Sequence, residues 1–350
     1  DPWRKVVAFI LPLQVVEHAA TRSRASRRKF IQQQGAAMIY RYFLMCYWAL
    51  LSTLVACNQL VYADDAMRGV SNDNWQGWGV LSSGKGYART PLGQVHYRDI
   101  GPRDYKYPFV LLHMTPMSMI QFGEVQNSLA ELGVRSIAID TPGYGSSDRP
   151  PHQPTIPEYA ENLLPVLEHL GVDKVIVAGH HTGAQIATAF AANNPDRVAG
   201  VILHGAALLT AKENAQFMKR MSNGQPRTPV LDGSHLTHVM ERPMSSTEQA
   251  ILNAKTWLVV TTFIQGPDIG HWAAFNYDME PDLLSIDAPG LILTDTEDVI
   301  HHTDIRASEV RPDFEFVTFS NGNILELMAQ HERWARLVAT FADRIPGGSQ

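Results

Sequence analysis

Two adjacent imidazoles stand at the end of an apolar run, in Val175-Ile176-Val177-Ala178-Gly179-His180-His181-Thr182-Gly183-Ala184. The run reads as a strand, the glycines as a tight turn, and the alanine-rich residues up to Asn193 as a helix. An imidazole held on such a turn can act as a general base near neutral pH, activating water or removing a substrate proton. A second chemistry is metal ligation, for which His113, His181, His204, Asp298, His301 and His302 are the available groups at strand ends and adjoining loops. No ligand spacing such as His-x-x-x-His on a helix supports it.

The elements that must position these groups follow from hydrophobic patterning. Phe109-Val110-Leu111-Leu112, Ser136-Ile137-Ala138-Ile139, Lys174 to Ala178, Val201-Ile202-Leu203 and Leu291-Ile292-Leu293 are apolar at nearly every position. Such runs are expected of strands buried on both faces of a parallel sheet. Tyr87 to Thr90 and Gln94 to Ile100, around Pro91-Leu92-Gly93, read as a strand pair with a turn. One helix is expected over Ile156 to Leu170 after Thr155, and another over Glu332 to Ile345. Alternating strands and helices predict a doubly wound α/β fold. Residues 206–285 lack a strand run and are expected to form an inserted helical cap, with Trp257, Phe263, Trp272, Phe275 and Tyr277 in its core. The folded part is then 64–205 with 286–350, and His301-His302 reads as a solvated loop pair.

The spacing Gly179-x-His181-x-Gly183 resembles the nucleophile elbow Gly-x-Ser-x-Gly. His113-Met114-Thr115-Pro116 stands where an oxyanion loop follows a strand, and Asp140 to Asp148 follows the next strand. With these motifs in order, the stretch from about Tyr87 to Ile345 is similar to the α/β-hydrolase superfamily. The resemblance implies a mostly parallel sheet with helices on both faces and a helical cap. It also implies an acid at Asp298 and oxyanion donors at the amides of Met114 and Thr182, with His113 in the oxyanion loop. The sequence departs from the pattern twice. His181 fills the nucleophile slot, and after Phe316 to Gly322 the third triad position meets Asn323 and Ile324, with no histidine before His331 in the next helix.

Three readings of His181 are therefore open: a base oriented by Asp298 in an enzyme acting on a small, mainly apolar ester, lactone or related carbonyl compound; a vestigial hydrolase fold that binds a small ligand; and a metal site. The enzyme reading is preferred, because backbone oxyanion donors do not depend on a serine. Met114, Met117 and Met119 could form an adaptable apolar wall near the site. No organic cofactor is expected, since no phosphate-cradling glycine fingerprint follows the first core strand, and no resident metal, since no ligand spacing supports one.

Charge is divided along the chain. Residues 1–63 carry eight basic and two acidic side chains, leaving 21 basic and 33 acidic in the remainder, so a net charge of −6 averages +6 and −12. That balance argues against a nucleic-acid partner. Ser26-Arg27-Arg28-Lys29-Phe30 resembles a twin-arginine signal, followed by an apolar run from Phe43 to Ala56 and a small-x-small site at Val61-Tyr62-Ala63. Residues 1–63 are expected to be an export leader, placing the protein in the periplasm or outside the cell. Leu54-Val55-Ala56-Cys57 resembles a lipobox, so membrane attachment would come only through a lipid on Cys57 or an uncleaved signal. It stays open whether residues 1–25 belong to the natural product, Met38 offering an alternative start. With only Cys46 and Cys57, both in the leader, no disulfide scaffold can form.

Overall fold

The computed structural model describes residues 84–223, 231–234, 249–264 and 268–346. The leader, with Cys57, lies outside the described residues. Eight strands form one sheet in the order β1-β2-β4-β3-β5-β6-β7-β8. They are β1 (Lys85–Thr90), β2 (Gly93–Ile100), β3 (Phe109–Leu112), β4 (Ser136–Ile139), β5 (Val175–His180), β6 (Val198–His204), β7 (Gly290–Asp295) and β8 (Glu315–Phe319). β1 and β2 are an antiparallel hairpin, and β2 meets β4 antiparallel; from β4 to β8 every pairing is parallel. The parallel α/β sheet expected from the runs is the one observed, with the mostly parallel order that the hydrolase resemblance implies. Every residue of β3, β4, β5, β6 and β7 is buried, because helices cover both faces.

The described helices are α1 (Gly123–Glu131), α2 (Ile156–Glu161), α3 (Leu163–Leu170), α4 (Thr182–Asn193), α5 (Ala211–Asn223), α6 (Gln249–Ile264), α7 (Ile269–Phe275), α8 (Glu280–Ser285), α9 (His301–Val310), α10 (Glu326–Ala329) and α11 (His331–Asp343). On one face Tyr159, Val166, Phe190 and Leu283 pack with Val110 and Val177; on the other Val125, Leu129, Trp334 and Phe341 pack with Leu111 and Ile202. Burial of some of these large side chains stabilises the fold by roughly 1.5–3 kcal/mol each.

Two expectations are corrected here. The helix expected over Ile156 to Leu170 is two helices that meet at Asn162. Pro165 has no N–H to offer the Glu161 carbonyl four residues earlier, so the ladder breaks there. His301 and His302 are the first residues of α9, not loop residues. Among the described residues, 206–285 contain helices α5 to α8 and no strand. Tyr277 is buried, whereas Trp257, expected in a cap core, is 44% exposed. α7 and α8 contribute Ala273 and Leu283 to the same core as α4, so this part of the insertion is continuous with the sheet's packing. No helix among the described residues is long and apolar enough to cross a membrane.

Candidate active site

The turn between β5 and α4 is forced by close packing. His181 sits at φ 52°, ψ −114°, a conformation that side chains rarely adopt. A Cβ on Gly179 would lie 2.0 Å from the Gly183 carbonyl oxygen, and one on Gly183 would lie 2.0 Å from the Leu112 carbonyl oxygen. The two glycines thus let strand, turn and helix start press against one another and against the end of β3. His181 N–H donates to the His204 carbonyl (3.0 Å), which ties the turn to the end of β6.

The His181 side chain then reaches Asp298 in the loop after β7. Nε2 and Asp298 Oδ2 are 2.6 Å apart, and the imidazole is 15% exposed while Asp298 is sealed. Asp298 Oδ1 accepts the Ile300 amide at 3.0 Å. An ionised carboxylate can only accept, so Nε2 carries the proton and Nδ1 holds the lone pair. Among the described residues, Nδ1 has no hydrogen-bond partner. Burial opposes a charge on His181, but the adjacent Asp298 outweighs it and raises the imidazole above its ordinary value. Burial likewise pushes Asp298 up, and His181 with the Ile300 amide more than reverses that, leaving the carboxyl below its ordinary value.

The oxyanion loop differs from expectation. The Met114 amide, expected to face a substrate oxygen, donates to Gln121 Oε1 at 2.9 Å. Gln121 has its other amide atom against His180 Nδ1. Because the Met114 N–H fixes Oε1, the Gln121 NH₂ donates to His180 Nδ1. Among the described residues the Thr182 and Thr115 amides donate to nothing. Thr182 is the first residue of α4, where an N–H has no partner within the helix. His113 is buried and neutral; burial lowers its pKa. Its Nδ1–H donates to the Met114 carbonyl (2.9 Å) and its Nε2 accepts from the Thr141 amide (3.1 Å), so it braces the loop. Met114 and Met117 pack with Ile251 and Ala254 of α6 and with Leu325.

The six groups considered for a metal are not brought together as a set. His181 pairs with Asp298, His204 Nε2 with Asp295 Oδ2 (2.9 Å), His301 Nδ1 with Thr294 Oγ1 (2.7 Å), and His302 Nε2 with Glu213 Oε1 (2.9 Å). Two tighter clusters, His180-His204-Asp295 and His180-His181-Asp298, have ligand-type atoms within 4.8 Å of one another. The proton positions do not suit a cation. Trp334 Nε1–H, which can only donate, gives to His204 Nδ1 at 3.2 Å, leaving the proton of His204 on Nε2. Gln121 does the same to His180, whose Nε2–H is buried and has no partner among the described residues. Ligation through either Nε2 would require an imidazolate.

The third triad position is filled otherwise. Asn323 is buried, with Oδ1 accepting the Leu325 amide (3.0 Å), and Ile324 packs against the Met114–Met117 cluster. His331 Nδ1 bonds to Ser128 Oγ on α1 at 2.9 Å and does not contact Asp298.

Comparison with known proteins fits this architecture. A family model described as alpha/beta hydrolase fold matches residues 107–229. Epoxide hydrolase B of Mycobacterium tuberculosis is 37% identical over 112 residues, 31% of this chain and 32% of that protein. Haloalkane dehalogenase of Psychrobacter cryohalolentis is 34% identical over 110 residues, 31% of this chain and 36% of that protein. The chain spans about a third of the length of the curated relatives it matches. Among solved structures, a thermophilic esterase from Thermogutta terrifontis superposes with TM-score 0.62 at 21% identity, covering 75% of this chain and 99% of that one. The enol-lactonase of Burkholderia xenovorans LB400 gives TM-score 0.60 at 18% identity, covering 73% of this chain and 99% of that one.

Proposed function

Since the chain belongs to the α/β-hydrolase superfamily, we propose that it is a hydrolase of small, mainly apolar esters or lactones that works through a His181–Asp298 dyad instead of a serine triad. The observation that carries this reading is the 2.6 Å contact of His181 Nε2 with Asp298, which leaves Nδ1 unprotonated on an imidazole that solvent can reach. Nδ1 takes a proton from water as the water oxygen attacks the substrate carbonyl carbon. The carbonyl electron pair moves to its oxygen, where the free Thr182 and Thr115 amides are the donors on hand. Collapse of the tetrahedral adduct expels the alkoxide, which takes the proton back from Nδ1, giving acid and alcohol. Asp298 keeps the tautomer and stabilises the imidazolium, the role an acid has in a serine triad.

The empty histidine slot fits this scheme, because the imidazole on the elbow meets the acid directly and no third residue has to stand between them. Met114 and Met117, offered as an apolar wall, are instead buried among Ile251, Ala254 and Leu325. In the same reading the leader exports the protein, and its partner is the small-molecule substrate alone. The relatives' named chemistries widen the panel to be tested. The protein is expected to hydrolyse p-nitrophenyl butyrate or a small lactone, with kcat/KM rising through a pH midpoint above that of ordinary histidine, and to resist a serine-directed fluorophosphonate. Rapid stoichiometric fluorophosphonate labelling, or opening of an epoxide with no action on any ester or lactone, would overturn it.

A further inference from the structure

Two buried carboxyls flank His181, and their surroundings are opposite. Asp298 has both oxygens engaged, one by the imidazole and one by the Ile300 amide. Asp304, on the first turn of α9, is wholly buried; Oδ1 takes the Ala206 amide, the Thr294 hydroxyl lies near the carboxyl, and Oδ2 makes no well-formed hydrogen bond among the described residues. Ala206 follows Gly205, on which the His181 ring lies so closely that a Cβ there would be 2.4 Å from His181 Cδ2. The Asp304 carboxyl is thus anchored one residue beyond the floor beneath the imidazole. A buried carboxylate oxygen without a donor is costly, and keeping the proton avoids that cost. Burial accordingly pushes Asp304 up to about 7, with contacts to Thr294 and the Ala206 amide pulling only part of the way back.

We propose that Asp304 is a positioning residue of the His181–Asp298 pair, a second buried acid, held beside the strand end that carries the imidazole, whose negative charge strengthens His181 as a base. The inference rests on His181 serving as that base. The other titratable groups facing this region are His180 from β5, His204 from β6, Asp295 from β7, Asp298 from the following loop and His301 from α9. His180 is held neutral by burial, then by its histidine neighbours. Arg306, the nearest guanidinium on α9, pairs with Glu213 and the Leu208 carbonyl instead of Asp304. Two carboxyls whose environments push their proton affinities apart are the arrangement by which one site holds both an acid and a base.

The test uses the full chain carrying Asp304→Asn, with His181 titrated directly by NMR of the ¹⁵N-histidine-labelled protein and kcat/KM followed over pH. The His181 midpoint and the acidic limb of the rate profile should both move to lower pH, by ~0.5 unit or more, and the two-step shape expected of coupled groups should collapse to one step. Stability gives an independent readout. An unfolded Asp loses its proton near 3.8, whereas the folded Asp304 holds it to about 7. Its contribution is therefore full below the first value and lost as pH rises towards the second. Asp304→Asn should gain in Tm relative to wild type between pH 5 and 8. An unchanged His181 midpoint in folded Asp304→Asn overturns the proposal. Should that variant not fold, Asp304→Ser, which removes the acid and keeps an oxygen able to accept a hydrogen bond, is titrated in its place, and an unchanged midpoint there overturns the proposal equally. A shifted midpoint without esterase activity would support the Asp304 coupling and count against the base reading alone.

Discussion

Two His–Asp pairs stand side by side at the carboxyl ends of neighbouring strands, and they differ in what their second nitrogens meet. His181–Asp298 and His204–Asp295 have similar contacts, 2.6 Å and 2.9 Å, and in both the carboxylate takes Nε2–H. Their free nitrogens differ. His204 Nδ1 is stopped by the Trp334 indole, its ring stacks on Phe319, and the pair is 1% and 0% exposed. His181 Nδ1 meets no donor among the described residues, and its ring is 15% exposed. Ring centroids of His180 lie 4.6 Å from His181 and 4.8 Å from His204, so one wall of imidazole serves both pairs. A His–Asp contact alone is therefore no sign of catalysis; the pair proposed as catalytic is the one whose lone pair meets no donor.

That contrast can be broken most severely at His181. His181→Ala should lower kcat/KM on the best ester by about 10³-fold or more, leaving what the oxyanion amides supply. An unchanged value would return the protein to the ligand-binding reading. Asp298→Asn should cost ~10²–10⁴-fold and move the acidic limb to lower pH, since Asp298 is what raises the imidazole. The His204 pair should respond in stability instead. Trp334→Phe removes the donor to buried His204 Nδ1 and should destabilise by about 1–3 kcal/mol in urea unfolding, with kcat/KM within roughly 3-fold of wild type. A large rate loss without destabilisation would show that the sealed pair takes part in catalysis. The smallest effect belongs to the surface: His302→Ala breaks an exposed contact with Glu213 and should change stability by ~0.5 kcal/mol or less.

Much of the sheet was legible because its central strands are buried on both faces and leave uninterrupted apolar runs. The runs at Phe109–Leu112 and Ser136–Ile139 match β3 and β4 residue for residue. β5 extends through Gly179 and His180, where apolarity ends but pairing with β6 continues. The split at Asn162 was readable from Pro165 and was masked by the helical spacing around it. The elbow and the acid came from motif order, whereas the contact between His181 and Asp298 spans 117 residues and no local pattern announces it. Gln121 was not singled out. It sits in Ser118-Met119-Ile120-Gln121-Phe122, where nothing in the composition tells that its amide fills the Met114 N–H and fixes the His180 tautomer. Asp304 was equally silent, since an acidic residue in a first helical turn is ordinary and only its burial makes it unusual. Asn323 shows the limit from the other side: the sequence marked the missing histidine and offered Asp298 as the acid for His181, but not that the vacated position would be a buried Asn323 turned to the Leu325 amide.

The central claim, that Asp298 holds the proton of His181 on Nε2 and leaves Nδ1 as the working nitrogen, is tested most directly by the tautomer itself. In ¹⁵N-histidine-labelled protein above the His181 midpoint, long-range proton–nitrogen correlations should show His181 protonated at Nε2 and bare at Nδ1, with Asp298→Asn abolishing that bias. A His181 that carries its proton on Nδ1 in the wild-type protein would contradict the account.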